Sequence, residues 1–120
     1  MFIGAGTYWG RHGTMRPKKL YVSGPMTGIP EHNHPAFNEA AKKLRGAGYE
    51  IVNPAELDGE TQMEWVDCLR RDIHEVVECE GIATLPGWQD SKGASLEVHI
   101  AKELGLEVYP VEHFLEEVKA

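Results

Sequence analysis

The chain has 120 residues, of which 42% are hydrophobic and 26% are charged, and this composition predicts one soluble globular domain. Its formal net charge of −7 argues against a nucleic-acid-binding scaffold, because the neutralisation of phosphates requires a basic surface. No apolar run reaches the ~20 residues of a membrane span, and no apolar segment near the N-terminus resembles a signal peptide. We therefore expect a cytoplasmic protein that binds neither a nucleic-acid polymer nor a membrane.

Residues 1–17 are rich in glycine and show no sustained hydrophobic period. We predict a flexible leader over these residues and a single domain over residues 18–120.

The hydrophobic pattern beyond the leader predicts strands that alternate with helices. Strands are predicted over residues 19–23, 49–53, 81–85 and 106–109. Helices are predicted from about Pro35 to Gly46 and over residues 62–79, 94–104 and 111–119. Thr61 and Glu64 have the spacing of a capping box at the start of the second helix. Its predicted buried residues are Val66, Leu69, Ile73, Val76 and Val77.

This alternation predicts an α/β fold in which helices flank both faces of a parallel sheet. The low polarity of residues 81–85 indicates a strand that is covered on both faces. Ligands of such sheets bind beyond the carboxyl ends of the strands. The loops at 23–28, 53–57 and 86–93 are expected to meet there and to form a site.

Glu97 is a charged residue on the apolar face of its predicted helix. At about 100° per residue, Leu104, Ala101 and Ala94 all lie within about 60° of it, on the arc that should face the sheet. A charge in that place costs several kcal/mol unless it has partners or a polar cavity. The position therefore marks Glu97 as a candidate functional residue.

Asp72 is a second carboxylate that leans inward, on the shoulder of the buried stripe of the preceding helix. We place Asp67, Arg71 and His74 on the outer face of that helix. Asp72 could form a structural ion pair with Arg71 or Arg70. Together with Glu97 it could instead serve glycosyl chemistry, in which one carboxylate is the nucleophile and the other assists the leaving group.

The loops offer backbone amides but no metal site. Gly24 and Gly28 bracket the first loop, and Ser91 and Gly93 precede Glu97, so free amides could hold phosphate or sugar oxygens. Turn formation alone also explains these glycines. No histidine or cysteine spacing matches a zinc site, so neither a metal nor another cofactor is expected. Cys68 and Cys79, about 16 Å apart along one predicted helix, are interpreted as reduced core thiols.

Four segments together resemble a known family. They are YVSGPMTG at residues 21–28, NPAE at 53–56, RDI at 71–73 and LPGW…SKGA…E at 85–97. This set resembles a phage-associated domain of unknown function within the nucleoside 2-deoxyribosyltransferase-like superfamily. That superfamily also contains 2′-deoxynucleoside 5′-phosphate N-hydrolases, and the resemblance covers residues 19–111.

The resemblance implies a three-layer, flavodoxin-like fold and a homodimer or larger homo-oligomer in which a neighbouring subunit completes the site. It implies that Glu97 is the nucleophile, that Asp72 assists the departing base and that Tyr21 stands beside the nucleophile. The ligand would be a deoxynucleoside or its 5′-monophosphate. The residues implied in binding it are Ser23, Gly24, Pro25, Met26, Gly28, Trp88, Ser91 and Gly93.

The first loop departs from the pattern of the N-hydrolases. Those enzymes have an arginine there for the phosphate, whereas this chain has Met26, Thr27 and Glu31, and Lys92 is the nearby cation. A nucleoside is therefore a better supported ligand than a doubly charged phosphate.

Three functions are compatible with the sequence. The first is an N-glycosidic-bond enzyme, either a deoxyribosyltransferase or an N-hydrolase, with Glu97 as nucleophile. The second is a nucleotide-binding module without turnover. The third is an interaction domain in which Glu97 merely caps its helix, and this reading predicts no cavity at Glu97.

Overall fold

The computed structural model of the protein describes residues 17–58 and 63–119. This part of the chain forms a parallel four-stranded sheet in the order β2-β1-β3-β4. The strands are β1 (Lys19–Ser23), β2 (Glu50–Val52), β3 (Gly81–Thr84) and β4 (Glu107–Pro110). The helices are α1 (His34–Gly46), α2 (Pro54–Leu57), α3 (Trp65–Val77), α4 (Lys92–Glu103) and α5 (Val111–Lys119). The predicted α/β fold is confirmed, whereas the predicted leader lies, except for Pro17, outside the described residues.

Two apolar clusters fill the space between the sheet and its two helix layers. On one face, Phe37 of α1 and Phe114 of α5 pack with Leu20 and Val22 of β1. On the other face, Val76 of α3 and Val98 of α4 belong to a cluster with Tyr21 and Ile82. All four residues of β3 are buried, which confirms the predicted cover on both faces.

Strand β1 positions the polar side chains of the later site. Because successive side chains of a strand point to opposite faces, Leu20 and Val22 face α1 and α5 while Tyr21 faces α3 and α4. Ser23 lies two residues after Tyr21 and shares its face. The chain leaves β1 for β2 on one side and returns past β1 to β3 on the other, so the ends of β1 and β3 form a topological switch point.

Helix α3 begins later than the sequence predicts. Glu64 has an extended backbone, with φ −64° and ψ 150°, and acts as the N-cap residue without a side-chain capping bond. The predicted capping box is therefore wrong, and Thr61 itself lies outside the described residues. The helix also ends at Val77, so Cys79 follows the helix instead of belonging to it.

The buried stripe of α3 is narrower than predicted. Val76 is buried, Leu69 and Ile73 are half-buried, but Val66 and Val77 are 56% and 44% exposed. Val66 and Val77 lie roughly 80° and 100° around the helix from Val76. Helix α3 packs mainly against α4. Because one neighbouring helix covers only part of its apolar face, the residues at the edges of that face stay exposed.

Two other local predictions also fail. Leu104 is 54% exposed; it is the C-cap residue of α4, which ends at Glu103. Helix α2 is absent from the sequence prediction, although Asn53 is a good N-cap residue and Pro54 a good first residue. In the structure the Asn53 side chain accepts a 3.0 Å hydrogen bond from the Ala55 amide.

No helix within residues 17–58 and 63–119 combines the length and the apolar character that crossing a membrane requires.

Gly24, where the first loop leaves β1, has no room for a side chain. A Cβ atom at Gly24 would lie 2.7 Å from the Leu85 Cβ, closer than packed carbon atoms approach each other. We expect Gly24→Ala to lower the free energy of unfolding by about 1–3 kcal/mol in urea denaturation. Gly46→Ala is the control, because a Cβ there meets nothing within 4 Å, and equal stability of the two variants would contradict this assignment.

Candidate active site

A large cavity opens beyond the carboxyl ends of the strands and has a volume of about 1180 Å³. The three loops that the sequence brings to this edge all contribute to its wall. Their lining residues are Gly24, Pro25, Met26 and Thr27 after β1, Pro54 after β2, and Pro86, Gly87, Asp90 and Ser91 after β3. The interaction-domain reading predicts no cavity beside Glu97, so the cavity weighs against it.

Glu97 is only 6% exposed, and its carboxylate forms part of the cavity wall. Helix α4 presents it toward β1, where the Tyr21 hydroxyl donates to Oε2 at 3.0 Å and the Ser23 hydroxyl donates to Oε1 at 2.7 Å. The prediction that Glu97 lies on the buried face is confirmed. Its bonds go to the strand and not to the end of its own helix, so it is not a helix cap.

Burial raises the pKa of Glu97 to about 7, and the nearby charge of Asp72 acts in the same direction. The hydrogen bonds from Ser23 and Tyr21 oppose this shift because they stabilise the ionised carboxylate. Burial, with the charges of Glu97 and Asp72, also holds the pKa of Tyr21 well above its usual range, so Tyr21 stays a neutral hydrogen-bond donor. A carboxyl group that titrates near neutral pH in a cavity is a feature of functional sites.

Asp72 of α3 also lines the cavity, with a side chain that is 14% exposed. Its Oδ1 accepts a 2.9 Å hydrogen bond from Nε of Arg71. Burial raises the pKa of Asp72, while the charge of Arg71 opposes that shift. Tyr21, whose hydroxyl donates to Glu97, also acts to lower the pKa of Asp72.

The other predicted binding residues divide into three groups. Five of them line the cavity: Gly24, Pro25, Met26, Ser91 and Gly93. Ser23 is not a lining residue, but it donates a hydrogen bond to Glu97, which is. The Ser91 hydroxyl accepts from the Ala94 amide at 3.2 Å, so it caps α4. Gly28 and Trp88 are not among the lining residues, and Trp88 packs instead against the cluster around Tyr21.

Several cavity residues are missing from the sequence prediction. Arg71 is predicted on the outer face but lies in the wall, with a side chain that is only 21% exposed. Asp58 and His34 also line the cavity and join in a 3.0 Å contact between Oδ2 and Nε2. Trp65 lines it as well, with Lys92 Nζ 4.9 Å from its ring centre. The one available signal is the seven-residue spacing of Trp65 and Asp72, which puts both on one helix face.

No cluster of His, Cys, Asp and Glu that could hold a metal ion occurs in the part of the chain that the structure describes. Cys68 and Cys79 are both free, the former half-buried in the cavity wall and the latter buried. Burial raises the pKa of both thiols, that of Cys79 to about 12, so both are protonated at neutral pH.

The fold is similar to that of a solved structure, a 2-desoxiribosyltransferase from Leishmania mexicana. The two chains are 19% identical with a TM-score of 0.60, over 77% of this chain and 62% of that chain. At this identity the likeness concerns the fold, because one fold can host many functions. No curated protein is a significant match in sequence.

A family model described as "Domain of unknown function (DUF4406)" matches residues 18–110, which include both candidate carboxylates and all three loops. The chain belongs to this family, and its α/β fold is one that a deoxyribosyltransferase also adopts.

Proposed function

We propose that this protein is an N-glycosidic-bond enzyme, a deoxyribosyltransferase or an N-hydrolase, that acts on a deoxynucleoside or its 5′-monophosphate. The observation that carries the proposal is the buried Glu97 carboxylate in the wall of a large cavity, bonded to Ser23 and Tyr21 beside a second carboxylate. A buried carboxylate costs folding free energy, so a functional reason for it is expected. The fold likeness to a deoxyribosyltransferase supports the same class of reaction.

In this proposal ionised Glu97 attacks C1′ of the sugar, and the bond from C1′ to the base nitrogen breaks. The bonding electron pair leaves with the base, which receives a proton from Asp72. The product is a glycosyl ester of Glu97. In a hydrolase, water then attacks C1′, Asp72 accepts the proton of that water, and the Glu97 carboxylate is released. In a transferase a ring nitrogen of a second base attacks C1′ instead, its proton passes to Asp72, and the Glu97 carboxylate is released.

The charges of the cavity favour a nucleoside over a monophosphate. Among the described lining residues, the carboxylates Asp58, Asp72, Asp90 and Glu97 face two permanent cations, Arg71 and Lys92. Arg71 is engaged by two of those carboxylates. Lys92 is then the one permanent cation among these lining residues that no described carboxylate engages, and the carboxylates would repel a phosphate group.

The homo-oligomer and the cytoplasmic location that the sequence suggests remain predictions. Sedimentation velocity of the purified protein would test the first of them.

The ionisation of Glu97 predicts a pH profile for the reaction. Because the nucleophile must be ionised, the rising limb of the kcat/KM profile should have its midpoint near pH 7. Ser23→Ala removes the 2.7 Å hydrogen bond that favours the ionised form, so the rise should move to higher pH, by about one pH unit. Tyr21→Phe should move it in the same direction. A profile that neither variant moves would contradict Glu97 as its source.

The proposed function is tested by incubating the protein with a panel of deoxynucleosides and their 5′-monophosphates and measuring free base by chromatography. A second base is added in parallel to detect transfer. Release of base by the wild type, but not by Glu97→Gln, supports the proposal. Ligand-induced thermal stabilisation without any product would favour a nucleotide-binding module instead.

A further inference from the structure

Arg71 is held in the cavity wall by contacts from two segments of the chain. Its Nη2 lies 2.9 Å from Oδ1 of Asp58, and its Nη1 donates to the carbonyl oxygen of Leu57 at 3.1 Å. Its Nε and Nη2 both lie 2.9 Å from Oδ1 of Asp72. The planar guanidinium has its donors at fixed angles, so these contacts fix its orientation as well as its position.

The contact between Arg71 and Asp72 does not follow from the helix alone. Neighbouring residues of a helix point about 100° apart and do not normally face each other. Hydrogen bonds to Asp58 and to the Leu57 carbonyl hold the guanidinium in the cavity wall, where it contacts Asp72. The orientation of Asp72 is thus linked to the segment that ends α2.

The same network extends to α1. His34 Nε2 lies 3.0 Å from Oδ2 of Asp58, whose other oxygen contacts Arg71. The two side chains are 31% and 30% exposed. A continuous chain of contacts therefore runs from His34 through Asp58 and Arg71 to Asp72, along one side of the cavity.

We propose that Arg71, held by Asp58, is a positioning residue that aims the Asp72 carboxyl group at the leaving base. This inference rests on the proposed function and extends it by a residue with which no role is yet associated. In this role Arg71 acts through Asp72, so its removal should affect only the step in which Asp72 takes part. The alternative is an ordinary structural ion pair, whose loss would impair every reaction of the site alike.

Two substrates separate these possibilities. A natural deoxynucleoside needs help from Asp72 because its base is a poor leaving group, whereas 4-nitrophenyl 2-deoxyribofuranoside releases a stable anion that needs no proton. We expect Arg71→Met to lower the pH-independent limit of kcat/KM for the nucleoside, taken from the full pH profile of each protein, by at least about tenfold, a part of the ~10²–10⁴-fold that a general acid contributes. The value for the nitrophenyl substrate should stay within about threefold. Retained activity on that substrate also shows that the variant is folded.

Arg70→Met is the matched control, since Arg70 is the exposed neighbour of Arg71 on the same helix, and it should change neither value. An equal loss on both substrates with Arg71→Met, or no loss on either, overturns the inference. Failure of the wild type on both substrates overturns the proposed function instead.

In that last case a second measurement still tests the positioning contact. The groups that face Asp72 are Arg71 on its own helix, Tyr21 on β1, Glu97 on α4 and Asp58 after α2. Carbon-13 NMR of labelled aspartate in the whole protein can follow the titration of Asp72. Arg71→Met should raise the measured pKa of Asp72 by about 1–3, and Arg70→Met should leave it unchanged. An unchanged value in the Arg71 variant overturns the inference.

Discussion

Replacing Glu97 by glutamine is expected to lower kcat/KM by at least about 10³-fold, because the amide cannot attack C1′ and no other described carboxylate has its place beside Ser23 and Tyr21. The measurement is the release of free base from the best substrate of the panel. Glu103→Gln is a matched control, since Glu103 lies on the same helix but is exposed, and its variant should keep wild-type activity.

The same substitution should stabilise the fold above pH 7. The pKa of Glu97 is raised from 4.5 to about 7 on folding, so the native state keeps a proton that the unfolded state loses between pH 4.5 and 7. Stability is therefore full below pH 4.5 and declines as the pH rises through this window. Glutamine does not ionise and can still bond to Ser23 and Tyr21, so the variant should avoid this decline, which amounts to up to about 3 kcal/mol.

Loss of activity together with a gain in stability would show that Glu97 serves function although it lowers the free energy of unfolding. Urea denaturation of both proteins at pH 5 and pH 8 measures the stability difference. A variant that is inactive and also less stable at pH 8 would instead make Glu97 a structural residue of the core.

Replacing Asp72 by asparagine should lower kcat/KM for a natural deoxynucleoside by about 10²–10⁴-fold, the usual contribution of a general acid. Asparagine keeps the size of the side chain but cannot give the base a proton. The effect should be much smaller for 4-nitrophenyl 2-deoxyribofuranoside, whose leaving group departs as an anion. Steady-state kinetics with both substrates measures this difference.

Asp67→Asn is the control for that experiment, because Asp67 is an exposed aspartate on the first turn of the same helix. Its variant should behave as the wild type on both substrates. If Asp72→Asn loses the same factor on both, then Asp72 acts in binding or in folding and does not assist the departing base.

Much of the fold is predictable from the sequence because its signals are local. Strand β1 and helix α5 have the predicted bounds, and the apolar residues Phe37, Ala40, Ala41 and Leu44 of α1 are all buried. The inward position of Glu97 follows from helical period alone. These features depend on alternation and spacing within one element, which the sequence displays directly.

Two of the predictions that fail depend on contacts between elements. The extent of burial on α3 depends on how that helix meets α4, so Val66 and Val77 are exposed although they follow the apolar period. The place of Arg71 depends on Asp58, thirteen residues earlier in the chain. The sequence already offers Arg71 as an ion-pair partner of Asp72, and the 2.9 Å contact confirms that pair. Helical geometry nevertheless puts Arg71 on the outer face, and its contacts with Asp58 and Leu57 follow only from the folded path of the segment after α2.

In the proposed reaction Glu97 forms a covalent bond to the sugar. It is tested most directly by stopping the reaction with acid after incubation with a 2′-fluorinated nucleoside, whose fluorine slows breakdown of the intermediate, and mapping the modified peptide by mass spectrometry. We expect a sugar adduct on the peptide that carries Glu97, and no adduct in the Glu97→Gln variant. Release of base without any adduct on Glu97, or an adduct on another residue, would contradict it.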